Sequence, residues 1–272
     1  MKTDVWDIGV CSWSLQAGID EVAGQMESMG LKHVHLAVGP ALEAGGDKFL
    51  EAVKKQDWII SSTMINFPQE DYSTLDSIKV TGGVLPDNCW QDNKERFSGA
   101  ARITKELGVR YLSTHAGFID ETDIEQYRIM CGRINCLADI AVENEVVLLM
   151  ETGQEDAEEL ACFLKEVNHP AVGVNFDPAN MILYGKGDPI EAVKLLGPWI
   201  KHVHIKDANL TEVTGQWGSE VPWGDGQLNA DEFLRALKEI GYCGTLAIER
   251  EAGDDRAGDI ALAVERLQGF KG

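Results

Sequence analysis

Four short apolar segments of this sequence each carry, at or near their end, a side chain that can bind a metal ion. The segments read VVLLMET, VGVNFDP, IKHVHIKD and GTLAIER, and they contain Glu151, Asp177, His204 and Glu249 in that order. Each is short, rich in β-branched residues and followed by turn residues, which is typical of a buried parallel strand. Three carboxylates and an imidazole at the ends of successive strands suit a hard or borderline divalent ion such as Mn²⁺.

The period-2 geometry of a strand predicts which of these side chains face the interior. In IKHVHIKD, the side chains of His202, His204 and Lys206 share one face, while Val203 and Ile205 share the other. Apolar residues of a barrel strand face the surrounding helices, so the polar face should point inward. Buried polar and charged groups need partners, and a bound metal ion would supply them.

Strand-like and helix-like segments alternate along the whole chain. We predict strands at 7–13, 31–38, 57–65, 109–115, 146–151, 172–177, 200–206 and 244–250, and helices near 18–29, 47–56, 92–107, 123–144, 156–167, 189–197, 230–240 and 255–268. This alternation predicts the α/β class and a (β/α)₈ TIM barrel with a parallel sheet. A doubly wound open sheet is the alternative, but no GxGxxG motif follows the first strand. Because no linker or composition break interrupts the pattern, we expect one domain over residues 1–272.

Two of the predicted connections are long, at 66–91 and 207–229. Both follow strands, so they lie on the face where barrel enzymes hold their active sites. We expect them to flank a pocket as lids or binding loops, with Trp90, Trp217 and Trp223 available to cover a sugar face. The alternative is that both are plain surface insertions.

Charge and composition exclude several classes of function. The 272-residue chain has 24 Lys and Arg against 45 Asp and Glu, a net charge of −21, which argues against a nucleic-acid partner. No stretch approaches the about 20 apolar residues of a membrane span, and the N-terminus does not resemble a signal peptide. Six cysteines without a CxxC pair indicate reduced, mostly buried thiols in a cytoplasmic protein. The sequence does not determine the oligomeric state, and a homo-oligomer is compatible with it.

Several motifs together resemble one family. They are MET at Glu151, NFDPAN at Asp177, HVHIKD around His204, PWGDGQLN after the seventh strand and IER at Glu249. On these motifs the chain resembles the xylose isomerase-like TIM-barrel superfamily of sugar and sugar-phosphate isomerases and epimerases, which is distantly related to the AP endonuclease 2 family. The resemblance implies one divalent ion, most often Mn²⁺ with Mg²⁺, Co²⁺ and Zn²⁺ as alternatives, bound by Glu151, Asp177, His204 and Glu249.

The mechanism that this resemblance implies fits the residue types. A metal ion holding two neighbouring oxygens of a keto or hydroxy sugar polarises the carbonyl and acidifies the adjacent C–H. The catalytic residues would be Glu151 and Glu249, one removing the proton and the other, or the same one, returning it. The alternative for the four residues is a layer of structural salt bridges.

Four neighbouring residues are candidate substrate ligands: His115, Lys206, Trp13 and Asn180. His115 would donate to a substrate hydroxyl, or else be a satisfied strand-end histidine. Lys206 would bind a hydroxyl, carboxylate or phosphate, or else form a salt bridge to Asp177 or Glu249. Trp13, placed at the end of the first strand, would stack on a sugar ring or else pack in the core. Asn180 stands where some relatives carry a substrate-contacting histidine.

Other histidines receive no ligand role from the sequence. His35 shares a strand face with His33, which we expect to line the barrel, and His202 is expected behind the candidate ligands or in the core. Many relatives carry an arginine shortly before the turn of the seventh loop, but this chain has Glu220 there and no arginine. The substrate is therefore expected to be an uncharged sugar or keto-sugar rather than a phosphate.

Three other functions remain open at this stage. The first is a metal-dependent lyase or hydratase acting on a keto-glycoside through the same enolate chemistry. The second is a nuclease like the AP endonuclease branch, which needs several metal ions and a DNA-binding surface; the charge of −21 opposes it. The third is a non-catalytic sugar-binding barrel, which the intact set of four candidate ligands opposes.

Overall fold

Eight parallel strands form a closed barrel at the centre of the protein. A computed structural model describes residues 1–3, 5–213 and 215–271, and the order of strands around the barrel is β1-β10-β7-β6-β5-β4-β3-β2. The barrel strands are β1 (Ile8–Cys11), β2 (His33–Ala37), β3 (Ile59–Met64), β4 (Tyr111–Thr114), β5 (Val147–Glu151), β6 (Val172–Phe176), β7 (Ile200–Ile205) and β10 (Leu246–Ile248). The predicted (β/α)₈ barrel is confirmed, and the open doubly wound sheet is excluded because β1 pairs with both β2 and β10.

Helices connect the strands, and two connections contain one helix more than predicted. The helices are α1 (Ile19–Ser28), α2 (Gly46–Lys54), α3 (Leu75–Thr81), α4 (Trp90–Glu106), α5 (Ile124–Glu143), α6 (Ala157–Val167), α7 (Pro178–Tyr184), α8 (Pro189–Leu196), α9 (Ala230–Glu239) and α10 (Arg256–Gly269). The additional helices are α3 and α7, which are too short for a clear helical period in the sequence. In the part of the chain that the structure describes, no helix has the length and apolarity to cross a membrane.

The inward and outward faces of β7 follow the predicted alternation. Its outward residues Val203 and Ile205 belong to the apolar core between barrel and helices. Its inward residues His202 and His204, with Lys206 just beyond the strand, are buried among other polar side chains of the barrel interior. A one-residue change in register would exchange these two sets, so the apolar outer face fixes which polar groups point inward.

The connection 207–229 is organised around one buried carboxylate. Strands β8 (Asp207–Asn209) and β9 (Ser219–Val221) form a short antiparallel pair, and Asp207 accepts hydrogen bonds from four backbone N–H groups. These are the N–H groups of Ala208, Gly224, Gly226 and Leu228, at 2.8, 3.0, 3.0 and 3.2 Å. A Cβ on Gly226 would stand 2.2 Å from Asp207 Oδ1, so this approach requires glycine. The PWGDGQLN motif is thus a backbone cradle for a carboxylate.

We expect Asp207→Ala to destabilise the protein by about 2–4 kcal/mol, because it leaves four backbone donors without their shared acceptor. Urea unfolding followed by circular dichroism measures the change. The matched control is Asp57→Ala, which removes an exposed carboxylate paired with Lys32 and should leave the midpoint essentially unchanged. Equal midpoints for the two variants would contradict the role given to Asp207.

Candidate metal centre

Four side chains from consecutive barrel strands converge at the carboxyl-terminal end of the barrel. Glu151 is the last residue of β5, Asp177 follows β6, His204 lies in β7 and Glu249 follows β10. His204 Nδ1 lies 3.6 Å from Glu151 Oε1, 3.4 Å from Asp177 Oδ2 and 3.3 Å from Glu249 Oε2. One ligand atom from each residue lies within 4.8 Å of all the others, and all four residues are buried. We call this group the carboxylate–histidine cluster.

The donor set of this cluster fits one divalent cation. Three carboxylates buried side by side repel one another, and removing them from water is unfavourable unless a cation compensates. Three oxygen donors and one imidazole are ligands that hard and borderline divalent ions accept. Glu151, Asp177, His204 and Glu249 could therefore hold such an ion.

The charges within the cluster change the proton affinities of its members. Burial alone would lower the pKa of His204, but the carboxylates of Glu249 and Glu151 hold that pKa well above its ordinary value. Burial raises the pKa of Asp177 to about 6, although Lys206 opposes the increase. Burial also acts on Glu249, yet Lys206 and His204 outweigh it and keep the pKa of this carboxyl well below normal.

The side chain of Glu151 is held by two amides. Asn175 Nδ2 donates to Oε2 at 3.0 Å from inside the barrel, and Asn180 Nδ2 donates to Oε1 at 3.1 Å from α7. His115, directly after β4, has its Nε2 3.6 Å from Oε1 of the same glutamate. Burial would lower the pKa of His115, but Glu151 raises it to about 9. The hydroxyl of Tyr72 lies 2.9 Å from His115 Nδ1 and extends this contact towards the pocket mouth.

The side chain of Glu249 is held in a corresponding way by a tryptophan and a lysine. Trp13 Nε1 donates to Oε1 at 2.7 Å, and Lys206 Nζ donates to Oε2 at 2.8 Å. Trp13 was predicted at the end of the first strand, but the strand stops at Cys11 and residues 12–15 form a 3₁₀ turn. This turn carries the indole N–H across to Glu249 on the neighbouring strand end.

Lys206 is surrounded by carboxylates. Besides Glu249, its ammonium contacts Glu251 Oε2 at 2.8 Å and lies 3.8 Å from both Asp177 Oδ2 and Glu220 Oε2. The salt bridges that were the alternative for Lys206 are thus present, and its role as a substrate ligand stays a prediction.

Asp177 also organises the chain around it. Its Oδ1 accepts from the backbone N–H of Asn180 at 2.9 Å and so caps the N-terminus of α7, while Oδ2 faces His204. The cap brings the side chain of Asn180 over Glu151. The NFDPAN motif thereby positions two members of the cluster through a single turn of helix.

A cavity of about 700 Å³ opens above the cluster. Both long connections contribute to its wall, 66–91 through Asn66 and Tyr72 and 207–229 through Trp217, Gly218 and Glu220. His115, Lys206, Trp13 and Asn180, the predicted substrate ligands, all line it. Their position in one pocket agrees with the sequence analysis, and their roles towards a substrate stay predictions.

The prediction for two tryptophans is wrong. Trp223 is buried and packs against Phe233 of α9, and Trp90 begins α4 with the guanidinium of Arg133 over its ring at 5.1 Å. Only Trp217 of the three lines the cavity, where its ring meets that of Tyr184 at 4.8 Å between centroids. Connection 66–91 also contains α3. Trp90 follows this helix and is therefore far along the chain from the end of β3.

Several contacts of the site were missed from the sequence. Glu251 follows Glu249 by two residues, so the alternation of a strand could have indicated it. Tyr72 lies in an irregular connection without any local signal. The sequence predicts mostly buried cysteines. In the structure only Cys11 of the six is classed as buried, while Cys162 and Cys243 are exposed.

Comparison with known proteins identifies the family. Residues 15–269 match the sequence model of the family described as xylose isomerase-like TIM barrel. The chain belongs to this family. The match covers all eight barrel strands except the first, and it includes every member of the carboxylate–histidine cluster.

Two dehydratases are among the relatives by sequence. An inosose dehydratase of Clostridium botulinum (strain Eklund 17B / Type B) is 26% identical over 165 residues, which cover 54% of each chain. A 3-dehydroshikimate dehydratase of Bacillus anthracis is 23% identical over 168 residues, or 56% of this chain and 59% of that protein. The chain thus spans about half the length of the curated relatives that it matches.

Solved structures extend the likeness over nearly the whole chain. A xylose isomerase domain protein from Planctomyces limnophilus is 28% identical, with a TM-score of 0.87 over 97% of this chain and 96% of its own. Two others show the shared fold alone. The IOLI protein with a bound zinc atom has 17% identity and a TM-score of 0.73 over 97% and 96% of the two chains. L-ribulose 3-epimerase has 15% identity and a TM-score of 0.70 over 96% and 93%.

If the cluster binds a divalent ion, Mn²⁺ or Zn²⁺ should raise the melting temperature of the wild-type protein and not that of His204→Ala. Binding to the native state alone stabilises it by about 2.7 kcal/mol at an ion concentration about a hundredfold above Kd. Differential scanning calorimetry with and without the ion measures this. The control is His169→Ala, at a histidine outside the cluster whose Nε2 lies 3.4 Å from Asp139 Oδ1, which should respond as the wild type does. An unchanged metal response in His204→Ala would contradict the assignment.

Metal binding should also release protons. In the metal-free protein the raised pKa of His204 keeps its ring protonated at neutral pH, and Asp177 takes up a proton as pH falls through about 6. Because a ligating imidazole and carboxylate must lose these protons, apparent metal affinity should fall with decreasing pH, most steeply below about pH 6. Isothermal titration calorimetry in buffers of different ionisation enthalpy gives the number released. A binding heat independent of buffer at pH 7 would contradict this linkage.

Proposed function

We propose that this protein is a divalent-metal-dependent sugar isomerase or epimerase, which moves a proton next to a carbonyl of a keto or hydroxy sugar. The observation that carries the proposal is the carboxylate–histidine cluster at the floor of the 700 Å³ cavity. Mn²⁺ is the ion we expect, with Mg²⁺, Co²⁺ and Zn²⁺ as alternatives, because the donor set has three oxygens and one nitrogen. The epimerase among the solved structures of this fold is consistent with the proposal.

A divalent ion at the cluster would polarise a substrate carbonyl and acidify the neighbouring C–H. The residues of the chain would do the rest. Glu151 and Glu249 extend from β5 and β10, and each faces His204 with one oxygen. A substrate carbon between them could lose its proton to one carboxylate and regain a proton from the other. Asn175 and Asn180 donate hydrogen bonds to Glu151, and Trp13 and Lys206 donate to Glu249. These bonds fix the orientation of both carboxylates and favour their ionised form, which a general base requires.

The charges of the pocket favour an uncharged substrate. Of the described residues that line it, Lys206 and the protonated His115 are positively charged; four carboxylates surround the Lys206 ammonium, and Glu151 faces the ring of His115. Arg250, behind the wall, is engaged by Glu220 and Asp259. A phosphate or carboxylate group would therefore have to displace an existing ion pair to find a partner. A neutral sugar needs only hydrogen bonds and apolar faces, which Trp13, Tyr72, Tyr184 and Trp217 offer.

A dehydratase or hydratase acting through the same enolate is the second candidate. Two of the relatives by sequence are named as dehydratases. Elimination needs a proton donor for the leaving hydroxyl, and His115, which contacts the Tyr72 hydroxyl through Nδ1 and Glu151 through Nε2, would be that donor. The AP endonuclease-like alternative is less consistent with the site, because acidic walls and a net charge of −21 repel DNA phosphates.

Glu249→Gln should lower kcat by a factor on the order of 10²–10⁴ and retain the fold, because it removes a positioned acid or base. The assay is deuterium incorporation from solvent into free ketoses, inososes and keto-glycosides, with the metal-loaded protein. Product mass separates the two candidates, since isomerisation retains the mass of the substrate and dehydration removes one water.

The matched control is Glu265→Gln on the outer face of α10. This variant should incorporate solvent deuterium into the substrate at the wild-type rate. Near-normal turnover in Glu249→Gln would remove this glutamate from the proton transfer and leave it at most a metal ligand.

A further inference from the structure

A buried histidine, His35, lies directly beneath the carboxylate–histidine cluster. His35 extends from β2 into the barrel interior, where its Nδ1 lies 2.9 Å from Nε2 of His204. The sulfur of Cys11 is 3.6 Å from the same Nε2. All three side chains are fully buried. His204 therefore faces the three carboxylates with one ring nitrogen and His35 with the other.

The two faces of the His204 ring have different chemistry. Nδ1 is the nitrogen within 3.6 Å of all three carboxylates, so it is the one that would bind an ion. An imidazole that ligates through Nδ1 carries its proton on Nε2, and this N–H needs an acceptor. Asn175 approaches Nε2 at 3.2 Å through its amide nitrogen, which only donates. The thiol of Cys11 is a weak acceptor at best, which leaves Nδ1 of His35.

We propose that His35 is a positioning residue for the metal centre: it accepts the Nε2 proton of His204 and thereby presents Nδ1 to the ion. The inference rests on the proposed metal-dependent function. Hydrogen bonds of this kind fix the tautomer and the ring orientation of metal-binding histidines, and their loss typically lowers metal affinity by 10–100-fold.

The choice of a neutral acceptor fits the charge of the site. The partner of a ligating histidine is often a carboxylate, but here three carboxylates already surround the binding position. A fourth buried negative charge would add repulsion, whereas the imidazole of His35 adds none. Packing holds His35 in place, since its ring meets that of His202 edge-on at 4.6 Å between centroids.

The occupied Nε2 also limits the number of ions. Cys11, His35 and His204 bring three donor atoms within 4.8 Å of one another, a spacing at which a second ion could bind. When Nε2 of His204 donates its proton in the hydrogen bond to His35, this nitrogen cannot bind a second ion. The inference therefore predicts one ion per chain.

The test compares Zn²⁺ affinity among full-length variants by competition with a chromogenic chelator. His35→Leu, which has no acceptor, should raise the Kd for Zn²⁺ by about 10–100-fold. His35→Asn, whose amide oxygen can stand near the position of Nδ1, should recover most of the affinity. His33→Leu is the matched control, because His33 lies on the same strand but bonds Thr245 at 3.0 Å, away from the cluster; its affinity should equal that of the wild type.

A second measurement uses the wild-type protein alone, so the test does not depend on whether His35→Leu folds. In ¹⁵N-labelled, Zn²⁺-loaded protein, the His204 ring should show the metal on Nδ1 and a slowly exchanging proton on Nε2. A Kd for His35→Leu within about twofold of the wild type, Zn²⁺ on Nε2, or two ions per chain would overturn the inference. If the wild-type protein bound no Zn²⁺, Mn²⁺, Co²⁺ or Mg²⁺, the proposed function itself would fail, which is a distinguishable result.

Discussion

The mutual repulsion of three buried carboxylates is the constraint on which the rest of the site depends. Glu151, Asp177 and Glu249, all buried, meet around one nitrogen of His204 at the carboxyl-terminal end of the barrel. Their separate strands hold them together despite the repulsion, and the free energy needed for this comes from the apolar packing of the surrounding helices. Such a cluster has a strong affinity for cations, and Lys206 balances only a part of its charge.

Polar order extends from this cluster into the barrel interior. Because Glu151 is an acceptor, Asn175 must direct its amide N–H towards it, and its carbonyl oxygen then accepts from His202 Nδ1 at 2.8 Å. His202 Nε2 in turn lies 3.0 Å from the hydroxyl of Ser61. One ionised carboxylate thus fixes the direction of a chain of hydrogen bonds across the barrel, in which each buried polar group has a partner. A TIM barrel usually fills this space with apolar layers, so the polar filling is a feature of the site.

The pocket above the cluster combines two kinds of support. Strand ends and the caps of helices hold the charged groups, as Asp177 does at the start of α7. Irregular connections supply the aromatic wall, and one of them depends on the four hydrogen bonds to Asp207. The rigid elements therefore carry the groups that need exact placement, while the connections carry the surfaces that define substrate shape.

The amino-acid sequence alone predicts the barrel, its strands to within a few residues, and the four side chains that meet at its carboxyl-terminal end. It could do so because alternating apolar segments define parallel strands, and parallel strands place their ends on one face. The contacts between segments distant in sequence follow from tertiary packing alone: Trp13 with Glu249, Tyr72 with His115, and His35 with His204. These pairs are separated by 43 to 236 residues along the chain. Side-chain periodicity states which way a residue faces within its own strand, whereas closure and stagger of the barrel decide which residue of another strand it meets.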